Sequence, residues 1–357
     1  IYLQDRRVME GDMTGPFSAN VVLSNPTVEV AVLETARGGI LRAGLGFDEA
    51  DVGVVLNVAS DHLGLHGIHT VEQLAEVKAT VAAVVKREGH AVLNADDALV
   101  YAMRERTMAD VVLFSVQGEG ENARFEEHLA RGGIGARIED GTFVIRRGPL
   151  RIPVVAVEEV PLMLGGAARF QRGNLLAAIA TAYVRGVRYD TIRAGLLSFF
   201  PSPSMTPGRL NLLRVGEARV LVDYAHNVAA VEALLETVAA IPALRKIGVL
   251  AVPGDRRDAD IREIGRLGAA FDAAIVKEDE DLRGRMRGEA AALLAAGLRE
   301  GGMSVDRITA IRHETDAVAH GLDELQPGDL LVVLAEDVPR VLAQVKARGG
   351  TRMATPG

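Results

Sequence analysis

The sequence contains no cysteine and no tryptophan, and aromatic residues make up only 4% of it. Without cysteine the chain can form no disulfide, no thiolate metal site and no cysteine nucleophile. A formal net charge of −8 leaves no basic footprint for nucleic acid, so we expect no nucleic-acid partner. We expect no signal peptide, and the sequence has no apolar run of roughly 18 residues that could cross a bilayer. We therefore expect a cytoplasmic protein without a membrane partner.

The sequence is rich in aliphatic residues, and the chain is long enough for two domains. Hydrophobic residues make up 48% and charged residues 25% of the chain, as in ordinary globular proteins. A chain of 357 residues exceeds the usual size of one domain and suits two, each with its own core. The numbering begins with Ile1 rather than Met, so we expect further residues upstream of it in the native protein.

Aliphatic runs alternate with helical patterns in the first part of the chain. Buried strands are predicted at 28–34, 51–57, 90–94 and 111–115, and helices at 71–87 and from Asp97. This order predicts a doubly wound α/β sheet. Between about 132 and 160, short alternating stretches around Asp140-Gly141 and Arg147-Gly148 predict β-hairpins inserted at the edge of this domain.

A proline-rich stretch divides the chain. Residues 201–208 include Pro201, Pro203 and Pro207, which neither a helix nor a central strand tolerates, so we place the interdomain linker there. The first domain is then 1–200 and the second 209–357. The second domain alternates strand and helix, beginning with a strand at 219–222 and a helix at 228–240, and the fold class is therefore two doubly wound Rossmann-like α/β domains. No G-x-G-x-x-G opens the second domain, so a dinucleotide cofactor is not indicated.

Glu34 ends the first predicted strand and is followed by the Gly38-Gly39 turn. In an open parallel sheet, ligands collect beyond the carboxyl ends of the strands, so an acid placed there can hold a cation beside a phosphate. The alternative is that Glu34 caps the turn or pairs with Arg37 or Arg42. Asn57, at the end of the next predicted strand, faces the same crevice, as do Asp61 and His62 just beyond it.

Two motifs on either side of the predicted linker resemble the Mur ligase superfamily, ATP-dependent ligases that join an amino acid to a carboxylate. They are Asn57-x-x-x-Asp61-His62 and Asp223-Tyr224-Ala225-His226-Asn227. Longer stretches resemble the cyanophycin synthetase family in particular: Glu34-Thr35-Ala36-Arg37-Gly38-Gly39-Ile40-Leu41-Arg42, Pro253-Gly254-Asp255-Arg256-Arg257-Asp258, and Lys277-Glu278-Asp279 through Leu282-Arg283-Gly284-Arg285. The resemblance covers essentially the whole chain. It implies that arginine is added to the β-carboxylate of aspartate in a poly-aspartate (cyanophycin) chain, while a separate ATP-grasp half, absent here, adds the aspartate.

The resemblance also implies ATP and Mg²⁺ as cofactors, since a carboxylate must be activated as an acyl phosphate before an amide can form. Glu34 and His62 would be the magnesium ligands, supported by Asn57 and Asp61. Lys78 falls where many Mur ligases carry a carbamylated lysine that helps to hold a second metal. The alternative for Lys78 is a helical lysine with a solvated head group.

The nucleotide-binding residues that the resemblance implies come from both domains. Asn174 matches the asparagine on the adenine side, Asp223 would bind the ribose hydroxyls, and His226 would help to order the nucleotide. Arg209 would reach the phosphates, or it could only pair with acids across the linker.

Two loops are expected to bind the amino-acid substrate, through Asp255 and Arg256 in one and Glu278 and Asp279 in the other. A guanidinium is planar and permanently charged and is best held by carboxylates, and Glu278, Asp279, Glu280 and Asp281 follow a predicted strand end. The alternative is that they pair with nearby arginines (Arg283, Arg285 and Arg287) and only order the loop.

The sequence departs from the Mur pattern in three places. The P-loop expected just upstream of Tyr2 is not in these residues, so we predict one within roughly 30 residues before Ile1 and no activity for this chain alone. Phe170-Gln171 replaces a His-Asn pair, and Val228 replaces a proline. Two alternative functions stay open: a stand-alone Mur-type ligase for another acidic acceptor, and a non-catalytic nucleotide-binding remnant. We also expect a homo-oligomer.

Overall fold

The structure, a computed structural model, describes residues 1–3, 6–9, 14–59 and 67–353. Its contacts divide the chain into two compact units. One comprises the described residues up to Ala156 together with Arg172–Arg193, and the other comprises Val157–Gln171 and the described residues from Ala194 onward. The sequence placed 157–171 in the first domain, but Leu164 and Ala168 pack into the core of the second unit beside Leu210. Burial of these apolar side chains decides the assignment.

The first unit consists of short helices and strands, and two further helices, α6 and α7, lie at its boundary. These are β1 (Tyr2–Leu3), β2 (Arg6–Arg7), α1 (Pro16–Leu23), α2 (Arg37–Ala43), β3 (Ala50–Val55), α3 (Val71–Ala83), β4 (Val85–Asn94), α4 (Ala98–Ala102), β5 (Asp110–Phe114), α5 (Ala123–Ala130), β6 (Ile134–Glu139), β7 (Thr142–Arg147), β8 (Leu150–Ala156), α6 (Gln171–Val184) and α7 (Tyr189–Ser198).

The main sheet of this unit has the strand order β3-β4-β5-β6-β7-β8. Strands β3 to β6 run parallel, and β7 and β8 are antiparallel. The predicted hairpins are confirmed, and they extend the same sheet instead of forming a separate layer. Asp140 and Gly141, at φ 48° and 69°, form the first tight turn. One face is covered by α3, α4 and α5, through side chains such as Ala79, Val100 and Phe125.

The predicted buried strand at 28–34 is wrong. The segment has no strand assignment, and Val30 and Val32 are 71% and 94% exposed. Its exposure alternates as in an extended chain, but no strand within the described residues pairs with it. β-branched residues favour a strand only where a neighbouring strand supplies hydrogen bonds and packing, so local propensity misleads here.

The predicted helix at 71–87 ends earlier, at Ala83, because its last residues join β4. A capping box begins the helix, with Thr70 and Gln73 satisfying each other's backbone N–H groups. Strand β4 pairs with β3 on one side and β5 on the other, and these hydrogen bonds outweigh the helical spacing of Val84 and Val85.

The second unit contains the remaining elements. These are β9 (Asn211–Val215), β10 (Ala218–Asp223), α8 (Val228–Ala240), β11 (Lys246–Leu250), α9 (Asp258–Gly268), β12 (Ala273–Val276), α10 (Glu289–Glu300), β13 (Ile308–Ala310), α11 (Glu314–Asp323), β14 (Leu330–Leu334), α12 (Val338–Ala347) and β15 (Thr351–Arg352). They form a sheet in the order β13-β12-β11-β14-β10-β9-β15, in which β9 is antiparallel to its two neighbours and the other pairs are parallel.

Alternation along the strands places helices on both faces of this sheet. In β14, Leu330 and Val332 pack on the side of α8, α9 and α10, whereas Leu331 and Val333 pack on the side of α11 and α12. Both faces are therefore buried, which explains the unbroken aliphatic runs of these strands. Among the described residues, no helix is long and apolar enough to cross a membrane.

Candidate functional site

Three consecutive backbone groups at the end of β3 are each bound by a side chain from another element. The bonds run from Asn94 Nδ2 to the carbonyl of Leu56 (2.8 Å), from Lys78 Nζ to the carbonyl of Asn57 (2.8 Å), and from the N–H of Val58 to Asp97 Oδ2 (2.7 Å). We call this arrangement the β3-exit clamp. It fixes residues 56–58, where the first Mur-like motif begins.

Lys78 and Asn57, which the sequence selected separately, are thus brought together. Asn57 is exposed and Lys78 is half-buried in the middle of α3, so its ammonium group reaches the carboxyl end of β3. Asp61 and His62 lie outside the described residues. The predicted contact of His62 with magnesium therefore stays a prediction.

Asp96 and Asp97 were missed by the sequence reasoning. Asp97 also accepts the N–H groups of Leu99 and Val100 at 2.9 and 3.1 Å, and so caps α4. Asp96 accepts bonds from the exit of β5 and the start of α5: from Ser115 Oγ (2.6 Å), Val116 N–H (2.7 Å) and Asn122 Nδ2 (2.7 Å). Both acids follow a predicted strand, which is the same signal that selected Glu34.

Glu34 is exposed and lines a cavity of about 810 Å³ together with Thr14, Gly15 and Thr35. The described part of the chain contains no group of three or more His, Cys, Asp or Glu residues that could hold a metal ion. The role of Glu34 as a magnesium ligand therefore stays a prediction. Asn174 is also exposed, in the first turn of α6.

In the second unit, the Asp223-to-Asn227 motif forms the turn between β10 and α8. Asp223 ends the strand, and its Oδ2 accepts the N–H of Leu210 at 2.8 Å. Asn227 caps α8 by accepting the N–H of Ala230 at 2.9 Å. The motif thus closes one element, starts the next and fixes Leu210, whose φ of 50° is unusual for a residue with a side chain.

Asp223 is only 7% exposed, and burial raises the pKa of its carboxyl group. The nearby Arg209 and the N–H bond from Leu210 act against that shift. Arg209 also lies over the ring of Tyr224, with its guanidinium carbon 5.7 Å from the ring centroid. Arg209 and Asp223, which the sequence assigned to the nucleotide, are therefore close together at the carboxyl end of β10.

His226 is half-buried and is held by its neighbours in the same motif. Its Nδ1 lies 2.9 Å from the carbonyl oxygen of Tyr224, so in the neutral ring this nitrogen carries the proton. The centroids of the His226 and Tyr224 rings are 5.0 Å apart. His226 can then present Nε2 as an acceptor.

The two predicted substrate loops contact each other. Arg283 Nη1 donates to Asp255 Oδ2 at 3.1 Å, and Arg285 Nη2 donates to the carbonyl of Arg256 at 2.7 Å. The structure thus brings Asp255 and Arg256 next to the loop that begins with Glu278 and Asp279.

Each acid of the predicted arginine-binding cluster has a partner within the unit. Glu278 is buried and accepts the N–H of Gly288 at 2.6 Å, with Arg287 3.9 Å away. Asp279 pairs with the fully buried Lys277 at 3.2 Å. Glu280 and Asp281 pair with His313 and Arg283, at 2.9 and 3.9 Å. A small cavity of about 10 Å³ beside Glu278 and Asp279 has room for about one water molecule but not for a guanidinium.

Comparisons with known proteins show which family the two parts of the chain match. Residues 18–182 match the Mur ligase middle domain, and residues 208–336 match the Mur ligase glutamate ligase domain. The chain is 48% identical over 350 residues to a cyanophycin synthetase of Trichormus variabilis. That alignment covers 98% of this chain and 38% of the relative, so the chain spans about two fifths of that protein's length.

Solved structures show the same fold at low identity. E. coli FolC in complex with ADP covers 84% of this chain and 63% of its own chain, with a TM-score of 0.59 and 20% identity. MurF from Acinetobacter baumannii covers 84% of this chain and 60% of its own, with a TM-score of 0.59 and 17% identity. The chain belongs to the Mur ligase superfamily, and it is a homologue of cyanophycin synthetase along almost its whole length.

Proposed function

We propose that the polypeptide containing this chain is an ATP-dependent ligase that joins arginine to the β-carboxylate of aspartate in a poly-aspartate backbone. The observation that carries the proposal is the 48% identity with a cyanophycin synthetase over 98% of the chain. The geometry supports it, because most of the residues selected for this chemistry lie just beyond the carboxyl ends of parallel strands. ATP would convert the carboxylate to an acyl phosphate, which an amine can attack.

The first unit offers oxygen donors for a magnesium ion. Glu34 is exposed at the 810 Å³ cavity, and a carboxylate is a ligand that Mg²⁺ prefers. Glu34 would hold the ion together with His62, supported by Asn57 and Asp61, and the bound ion would draw charge from the transferring phosphoryl group. We assign Lys78 the role of fixing the β3 exit, since it already binds the carbonyl of Asn57. If carbamylated, it would instead help to hold a second metal ion.

The nucleotide would bind through the residues that the motifs selected for it. Asn174 would face the adenine, and Asp223 would accept hydrogen bonds from the ribose hydroxyls. Arg209 is the cation assigned to the phosphates, and its stacking on Tyr224 holds it beside Asp223. His226 would help to order the bound nucleotide, with its ring orientation fixed by the bond to the Tyr224 carbonyl.

The amino acid would bind at the loop pair that carries Asp255, Arg256, Glu278 and Asp279. In the reaction its α-amine attacks the acyl phosphate, the new N–C bond forms, and phosphate leaves with the electron pair of the C–O bond. The excess amine proton passes to water. Since Glu278 and Asp279 already bind groups of their own unit, we propose that they supply negative potential and shape the loop, which favours a cationic side chain.

The test is amino-acid-dependent phosphate release by the complete polypeptide, with a poly-aspartate acceptor and a panel of arginine, lysine, alanine and glutamate. We expect rapid turnover with arginine and slow turnover with lysine, because an ammonium lacks the bidentate fork. Equal rates with alanine or glutamate would reject arginine specificity. Turnover with a different acidic acceptor would favour a stand-alone Mur-type ligase, and nucleotide binding without turnover would favour a non-catalytic remnant.

A further inference from the structure

Arg285 joins the two loops that carry the predicted substrate residues. Its side chain is only 13% exposed, and its guanidinium uses all three nitrogen atoms. The acceptors are the carbonyl of Gly254 (2.8 Å), the carbonyl of Arg256 (2.7 Å), Asp258 Oδ1 (2.8 Å) and Glu289 Oε1 (2.9 Å). Three of these acceptors lie in residues 254–258, on the opposite loop.

The backbones of the two loops are also in direct contact. A Cβ atom placed on Gly254 would lie 2.2 Å from the carbonyl oxygen of Leu282, so only glycine permits this approach. Arg283 and Gly284 adopt left-handed conformations, with φ of 48° and 87°, and this turn directs the chain from Leu282 to Arg285. The Arg285 N–H closes it by donating to the Leu282 carbonyl at 3.0 Å.

Only a guanidinium can make this set of bonds. Its planar fork presents five N–H donors in fixed directions, so it reaches two carbonyls and two carboxylates at once. A lysine ammonium is a single point with three donors and cannot replace it at all four acceptors. Arg285, Gly254, Glu278 and Asp279 line the same small cavity, so this set of bonds lies directly beside the two predicted acids.

We propose that Arg285 is a positioning residue that locks residues 253–258 and 277–288 into one unit, and so sets the spacing between Asp255 and Arg256 on one side and Glu278 and Asp279 on the other. The proposal rests on the proposed function in one respect, that this loop pair binds the amino acid. Each guanidinium nitrogen of Arg285 already bonds within the protein, so Arg285 acts through the loops. The sequence reasoning considered Arg285 only as a possible partner of the nearby acids.

The test compares Arg285→Lys with wild type in the complete polypeptide, using whichever amino acid of the panel wild type accepts. We expect the KM for the amino acid to rise about tenfold or more while the KM for ATP changes less than about twofold. Arg266→Ala is the matched control, because Arg266 is exposed and its side chain bonds Glu263 of its own helix. An unchanged amino-acid KM would overturn the proposal, and so would an equal rise in both KM values. Failure of wild type to use arginine would instead count against the proposed function.

A second variant and a second measurement make the test independent of turnover. Gly254→Ala forces the loops apart at a different point, so it should reproduce the Arg285→Lys effect, and the two changes combined should not add. In the chain itself, hydrogen exchange should accelerate in both loops together in Arg285→Lys and stay unchanged in the Arg266→Ala control. Acceleration in only one loop, or in neither, would show that Arg285 does not couple them.

Discussion

Replacing Asp97 by asparagine tests whether the β3-exit clamp contributes to stability. Asp97 uses both carboxylate oxygens, one for the N–H of Val58 and the other for the N–H groups of Leu99 and Val100 at the start of α4. An asparagine has one oxygen and one NH₂ group. If the oxygen keeps the helix cap, the NH₂ group faces the Val58 N–H, so a donor meets a donor and this bond is lost.

The expected size of the effect follows from the kind of bond that is lost. Hydrogen bonds to charged groups contribute about 1.5–3 kcal/mol, and this site is only partly buried, so we expect a loss of about 1–2 kcal/mol. For a domain of this size each kcal/mol lowers Tm by about 2–4 °C. The transition of the first unit should therefore move down by about 2–8 °C.

Calorimetry of the chain and amide hydrogen exchange at Val58 together provide the assay. In Asp97→Asn the Val58 amide should exchange about tenfold faster, as a local loss of about 1.4 kcal/mol requires. The control is Asp51→Asn, since Asp51 is exposed and forms a surface pair with Lys86 at 3.2 Å, and it should shift stability by less than about 0.5 kcal/mol. Unchanged Val58 exchange and an unchanged Tm would refute the clamp as a stabilising feature.

Three further predictions follow. Arg137→Met should cost about 3–5 kcal/mol in urea unfolding, because buried Arg137 binds Glu139 at 2.6 Å and its loss leaves a buried carboxylate undercompensated. Burial alone would raise the Glu139 pKa, but bonds from Arg137 and Arg151 outweigh it and hold that pKa below its usual range. The stabilisation that Glu139 contributes is therefore complete above about pH 4.3, its pKa in the unfolded chain, and is lost as the pH falls through its pKa in the folded protein. In the complete polypeptide, Glu34→Ala should lower ligation by on the order of 100-fold without a change in circular dichroism.

Each of these has its own control or contrary outcome. Arg131→Met removes an exposed pair with Glu127 and should cost less than about 1 kcal/mol, so an equal loss in both arginine variants would reject the role of burial. Glu139→Gln should flatten the acid limb of the stability curve, and an unaltered limb would assign it to other carboxylates. Near-wild-type turnover in Glu34→Ala would reject Glu34 as a magnesium ligand and leave it a residue that only shapes the turn.

Elements that are buried on both faces or clearly capped could be read from the sequence. The helix predicted from Val228 agrees with α8, because Asn227 is a strong N-cap and the apolar residues after it repeat at helical spacing. The aliphatic run of β14 is likewise recognisable, since both of its faces are buried. The rule that ligands gather beyond strand ends selected Asn57, and applied to 90–97 it would also have found Asp96 and Asp97.

What the sequence could not decide was which groups become partners in space. Val30 and Val32 have strand propensity, but strand formation needs a neighbouring strand, and propensity carries no information about one. The acids at 278–281 have the composition of a cation site, yet Lys277 and Gly288 already bind two of them, through bonds that depend on the loop's path. Composition and periodicity act over a few residues and so determine elements, whereas pairing, burial and satisfied hydrogen bonds depend on residues distant in sequence and exist only once the chain has folded.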